Sequence, residues 1–154
     1  MTDRPPQPAS LQVKTFLFIH VIWIIEGRRP LLKRSLLKVL AAHLLKIGEE
    51  TSISIMSVDG AEDHLHILLR LHAVQNLLQV MRQLMSSSSD WLRTTQLVPA
   101  DFNWQEGFMA YSVSPSAVKQ VQDFLDNQEQ YHRTRTLDIE WEVFEKAGTE
   151  IQKT

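Results

Sequence analysis

The run Asp63-His64-Leu65-His66-Ile67-Leu68-Leu69, preceded by Gly60, constrains this chain more than any other stretch. Polar and apolar residues alternate through it, the period of a strand with one face in a core. Successive strand side chains leave on opposite faces, so His64 and His66 point one way while Leu65 and Ile67 point into the interior. Two imidazoles about 7 Å apart along one strand face can hold a single divalent metal. The same alternation suits two polar residues on the wet face of an amphipathic strand. The motif by itself leaves both readings open.

A lone strand needs partners, and the periodicity supplies them. Val13–Ile25, rich in Phe, Ile, Val and Trp, predicts a buried strand that ends at Gly27 and Pro30. From Leu31 to Ile47 the spacing of Leu36, Leu37, Leu40, Leu44 and Ile47 is helical, and Gly48 closes it. Ser52–Val58 alternates as a second strand, Asp59-Gly60 reads as a turn, and Glu62–Leu71 completes a hairpin. Val74 to Trp91 is a second helix with Leu77, Leu78, Met81, Leu84 and Met85 as its stripe. Glu106–Ser114 reads as a fourth strand. Ser116 then caps a final long helix with Val118, Val121, Phe124 and Leu125 inward. The predicted class is α+β: a ferredoxin-like β-α-β-β-α-β sandwich with an added C-terminal helix. Residues 1–12 are expected to be a disordered arm, 13–136 the domain and 137–154 an acidic tail.

Composition narrows the function classes. At 154 residues and 44% hydrophobic the chain suits one domain with a full core. The absence of cysteine excludes a disulfide framework and a Cys-type zinc site. The polar, proline-rich start lacks the apolar stretch of a signal peptide, and Val13–Ile25 is too short to span a bilayer. A cytoplasmic protein with no membrane partner is expected. Net charge is −2, which exerts no global pull on nucleic acid. Residues 1–100, however, carry 11 Lys/Arg against 8 Asp/Glu, and residues 101–154 carry 5 against 10. Arg28, Arg29, Lys33, Arg34 and Lys38 form a cluster that suits either phosphate contacts or the solvated end of a helix.

Other residues carry two readings each. Phe124, Gln128 and Tyr131 share one face of the last helix, where the Gln128 oxygen is placed to complete a metal site; the same pattern fits a core Phe with a polar neighbour. Ser86, Ser87, Ser88 and Ser89 suit donors to a DNA backbone, or a fraying helix end. His20 suits a helper of the histidine pair, or a hydrogen-bonded core histidine. Trp104 is the best candidate among the tryptophans for stacking an unpaired base, with core packing as the other reading. Arg82 and Arg93 join Arg28 and Arg29 as candidate phosphate contacts.

Taken in order, His20-Val21-Ile22-Trp23, Arg28-Arg29-Pro30-Leu31-Leu32, Asp63-His64-Leu65-His66, Leu84-Met85 with Ser86–Ser89 and Asp90-Trp91, Phe102-Asn103-Trp104-Gln105-Glu106-Gly107-Phe108 and Phe124-Leu125-Asp126-Asn127-Gln128-Glu129 resemble one family. It is the single-tyrosine HUH transposases of the 200/605 group of insertion sequences, with their REP-associated relatives. The likeness covers about residues 14–135. It implies a homodimer that cuts and rejoins hairpin-bearing single-stranded DNA with no nucleotide cofactor. It implies that His64, His66 and Gln128 hold Mg²⁺ or Mn²⁺, and that the site is built between two subunits. It also implies a tyrosine four residues before Gln128, forming a covalent 5′-phosphotyrosine.

That position holds Phe124, which has the ring but no hydroxyl. An introduced change, a natural loss of cleavage, or a substitute hydroxyl each account for it. The nearby candidate substitute, Tyr131, lies two turns on, about 10 Å along the axis. An in-line attack needs about 3–3.5 Å. Cleavage by this chain is therefore expected to be defective, and a repurposed DNA-binding protein is the alternative.

Overall fold

Leu17–Ile24, dense in β-branched and aromatic residues, forms strand β1, and the elements after it follow from the same patterning. The computed structural model describes residues 13–127 together with 142, 145 and 146. The predicted arm, Gln128, Tyr131 and the rest of the acidic tail lie outside the described residues. Helix α1 (Arg34–Thr51), strands β2 (Ser54–Ala61) and β3 (His64–Leu71), helix α2 (Leu77–Thr94), strand β4 (Met109–Val113) and helix α3 (Val118–Asp126) complete the order. The sheet runs β2-β3-β1-β4, and every neighbouring pair is antiparallel. This is the β-α-β-β-α-β plan with an appended helix. No helix of the described residues is long and apolar enough to cross a membrane.

The two sheet faces have different covers. Val21, Trp23, Leu65, Ile67 and Leu69 pack against Leu40 and Leu44 of α1 and against Met81 and Leu84 of α2, all buried. Fully burying one such side chain contributes about 1.5–3 kcal/mol. On the opposite face α3 lies across β2 and β3 and buries Leu125. That face carries His20, Ile22, His64, His66 and Leu68, all buried.

Several boundaries differ from the sequence reading. Gly48 does not close the first helix: α1 runs on to Thr51 and ends at Ser52, which takes the left-handed conformation (φ 59°) and donates its N–H to the Gly48 carbonyl. Asp59-Gly60 is not the hairpin turn: both residues belong to β2, Gly60 pairs with Leu65, and Glu62 and Asp63 make the turn. A Cβ on Gly60 would meet the His64 carbonyl oxygen and the Leu65 Cα, so glycine here serves a close backbone approach. The hairpin tip is pinned from outside, since Ile25 N–H donates to the Asp63 carbonyl (2.9 Å) and Leu32 N–H to that of Glu62 (2.8 Å). Ser116 does not cap α3: it sits in a tight 3-10 turn, Pro115–Ala117, with its hydroxyl 3.1 Å from that of Ser114. Helix α2 starts at Leu77 rather than Val74, because Asn76 accepts from the Gln79 N–H (3.2 Å) and caps it there.

Candidate functional site

The β1–β3 register assembles the site. Ile22 pairs with His66 and His20 with Leu68, so His20 and His66 are diagonal neighbours on one face. Their rings stack with centroids 5.1 Å apart, and His20 Nε2 lies 2.8 Å from His66 Nδ1. His64 and His66 sit 5.1 Å apart, centroid to centroid. All three imidazoles are at most 4% exposed.

Each ring of the predicted pair has its Nδ1 engaged. His64 Nδ1 donates to Asp63 Oδ1 at 2.7 Å, and the other Asp63 oxygen accepts from Arg28 Nε at 3.3 Å. Left-handed backbone at Gly27 (φ 71°) and Arg28 (φ 54°) turns the chain through this corner. Burial alone would push the Asp63 carboxyl up, but hydrogen bonding and charge from His64, reinforced by Arg28, hold it below the usual carboxylate value. Ring nitrogens oriented in this way are the arrangement that histidine metal ligands adopt, with Nε2 turned to the ion. The donor chemistry therefore fits a divalent cation. Among the described residues no three His, Asp or Glu side chains converge as a complete cage, and the third expected donor, Gln128, lies outside them.

Phe124 closes the site from above. Its ring meets His66 edge-on at 5.8 Å and His20 at 6.1 Å between centroids. Phe124, His20 and His66 of one chain meet directly. The connection from β4 to α3 is only Ser114–Ala117, so α3 folds back onto its own sheet.

The predicted DNA contacts divide. Arg82, Ser86 and Trp104 line one cavity of about 690 Å³ between α2 and the 103–108 loop. Trp104 itself is only 8% exposed, packs edge-on to Trp23 and Phe102, and donates its indole N–H to Ser88 Oγ at 3.0 Å. It is a core residue with one edge on the cavity, because the loop folds it back over β1 through the Ile25–Trp104 bridge. Ser88 is buried, donates to the Met85 carbonyl and has no surface to offer a phosphate; Ser87 is half-buried. The serine run is helical and does not fray. Arg93 ties α2 to the Phe102 carbonyl (2.8 Å) and pairs with Asp90 on its own helix (2.6 Å), Arg29 pairs with Asp101 (3.1 Å), and Arg28 with Asp63. Those three arginines brace loops; Arg82 remains exposed on the cavity wall. The Asp63–His64 and His20–His66 contacts were not legible from spacing, since one needs the turn position and the other the strand register.

Residues 14–128 match the sequence profile of the IS200-like transposases. The chain belongs to that family. No curated protein sequence matches it. Among solved structures, a protein of Deinococcus radiodurans classed as a candidate transposase superposes with a TM-score of 0.62 at 18% identity, over 79% of this chain and 98% of that one. A REP-associated tyrosine transposase, solved bound to a REP hairpin, superposes with a TM-score of 0.56 at 12% identity, over 82% and 73%. At these identities the likeness is one of fold. For this IS200-like chain, it is the transposase family that gives the histidine face its context.

Proposed function

We propose that this chain binds hairpin-bearing single-stranded DNA and has lost strand cleavage through one atom, the hydroxyl that a tyrosine at position 124 would carry. The observation that carries the reading is the Phe124 ring, seated against His66 and His20 at 5.8 and 6.1 Å with nothing on it able to attack phosphorus. A phosphoryl transfer to protein needs a hydroxyl nucleophile there. His64 and His66, with Gln128, are the residues that would hold Mg²⁺ or Mn²⁺, and such an ion supplies polarisation of the scissile phosphate and support for the leaving 3′ oxygen. The Asp63 and His20 contacts keep both rings oriented for that role. Exposed Arg82 and Ser86, facing the 103–108 loop across the cavity, supply the backbone contacts. The working unit is a homodimer, by the family resemblance.

The test compares this chain with Phe124→Tyr, each incubated with Mn²⁺ and labelled hairpin DNA from its genomic neighbourhood. A denaturing gel is read for a covalent protein–DNA band. A band with the tyrosine variant alone is expected. A band with both would point to Tyr131 and overturn the assignment of position 124. No band with either, where anisotropy confirms hairpin binding, would favour a repurposed DNA-binding protein. Binding no tighter to hairpin single strands than to blunt duplex, or insensitive to salt, would remove DNA as the partner.

A further inference from the structure

We infer that His20 is a positioning residue that holds His66 in its Nδ1–H tautomer, so that the Nε2 lone pair of His66 faces a bound divalent cation. This rests on the metal-binding reading of His64 and His66.

Only one of the two nitrogens of a neutral imidazole carries a proton. For His64 the choice is made by Asp63: an ionised carboxylate can only accept, so Nδ1 donates at 2.7 Å and Nε2 keeps its lone pair. Arg28 on the second carboxylate oxygen holds that acceptor in place. At His66 the group facing Nδ1 is His20 Nε2, at 2.8 Å. Two arrangements are possible. If His20 Nε2 donates, a neutral His66 carries its proton on Nε2 and cannot ligate through it. If His20 Nε2 accepts, both members of the pair present Nε2 lone pairs, the matched state that shared coordination demands.

The metal reading selects the second arrangement, and the enclosure of the pair suits a fixed one. His20 reaches His66 diagonally across β1 and β3, and both rings are enclosed at 4% and 0% exposure. Phe124 touches both edge-on, which limits their rotation. His20 thus does for His66 what Asp63 does for His64. Its own contribution is orientation: it touches a candidate ligand and is assigned no contact with DNA.

The test begins with the metal-free, ¹⁵N-labelled chain, in which long-range ¹H–¹⁵N correlations report each imidazole tautomer. His66 is expected as Nδ1–H. His20→Phe keeps a ring of similar size and removes the acceptor, so His66 should shift toward Nε2–H. Mn²⁺ affinity by calorimetry should then fall roughly 10- to 100-fold. His20→Gln, whose side-chain oxygen falls near the lost Nε2, should restore most of both signals. A His66 found as Nε2–H in the parent chain, or unchanged between parent and a folded His20→Phe, would overturn the inference. Failure of the metal reading would look different: no Mn²⁺ uptake by the parent, or equal uptake by His66→Ala, whatever the tautomers are.

Discussion

Leu125→Ala is the perturbation that best separates the helix over the histidines from the rest of the fold. Leu125 is fully buried, yet it lies outside the cluster formed between the sheet and helices α1 and α2. Truncating a buried leucine costs about 2–5 kcal/mol, the transfer of its methyl and methylene groups plus the residual cavity. The helix itself loses nothing, because alanine is the better helix former. The cost therefore falls on docking. Helix α3 has nine described residues, Val118–Asp126, and a helix below about 12–15 residues is marginal without tertiary contacts. A docking loss of about 2–3 kcal/mol raises the undocked population roughly 30- to 160-fold. Hydrogen exchange should accelerate by that factor in α3, while the amides paired between β1 and β3 keep their protection. In parallel, carbethoxylation of His64 and His66, both at 0% exposure, should speed up and be read by mass spectrometry. Equal acceleration in β1 and β3 would refute the reasoning, since Leu125 would then belong to the global core. Unchanged exchange in α3 would refute it from the other side.

Gly60→Ala should destabilise by about 1–3 kcal/mol in urea denaturation, because the new Cβ meets β3 backbone rather than a side chain that can swing away. Ser88→Ala strands the buried indole N–H of Trp104 and should cost about 1–3 kcal/mol, with a change in tryptophan fluorescence marking the site. His43 stacks on Trp91, with ring centroids 4.2 Å apart. Burial, then Lys46, lowers its pKa below 6.5, against an opposing pull from Glu50. The folded state thus binds fewer protons than the unfolded state in that window. Stability should fall as pH drops from about 6.5 toward the lower folded value, and His43→Gln should flatten that segment of the pH–stability curve.

The sequence by itself determined the element order, because each buried face must repeat at the period of its own backbone. A dense β-branched and aromatic run marked β1, alternation marked β2 and β3, and the helical spacing of Leu36, Leu40 and Leu44 marked α1. It also determined that His64 and His66 share a face and that position 124 has no hydroxyl, since both follow from covalent structure and strand geometry alone. What it could not supply was anything that depends on a partner strand or a returning loop. The hairpin turn moved to Glu62-Asp63 because β3 backbone closes on Gly60 and the Ile25 and Leu32 amides hold the tip. Of the four arginines that suited phosphate contacts, Arg28, Arg29 and Arg93 meet carboxylates or carbonyls of other segments, as Arg29 does with Asp101, while Arg82 stays exposed on the cavity wall. Trp104 went into the core because Ser88, sixteen residues earlier, could accept its indole N–H. The His20–His66 bond spans forty-six residues and exists only because β1 and β3 pair in one register. A slip of one residue would turn His20 to the other face, and no local pattern in the chain specifies that pairing; the packing of the whole sheet does.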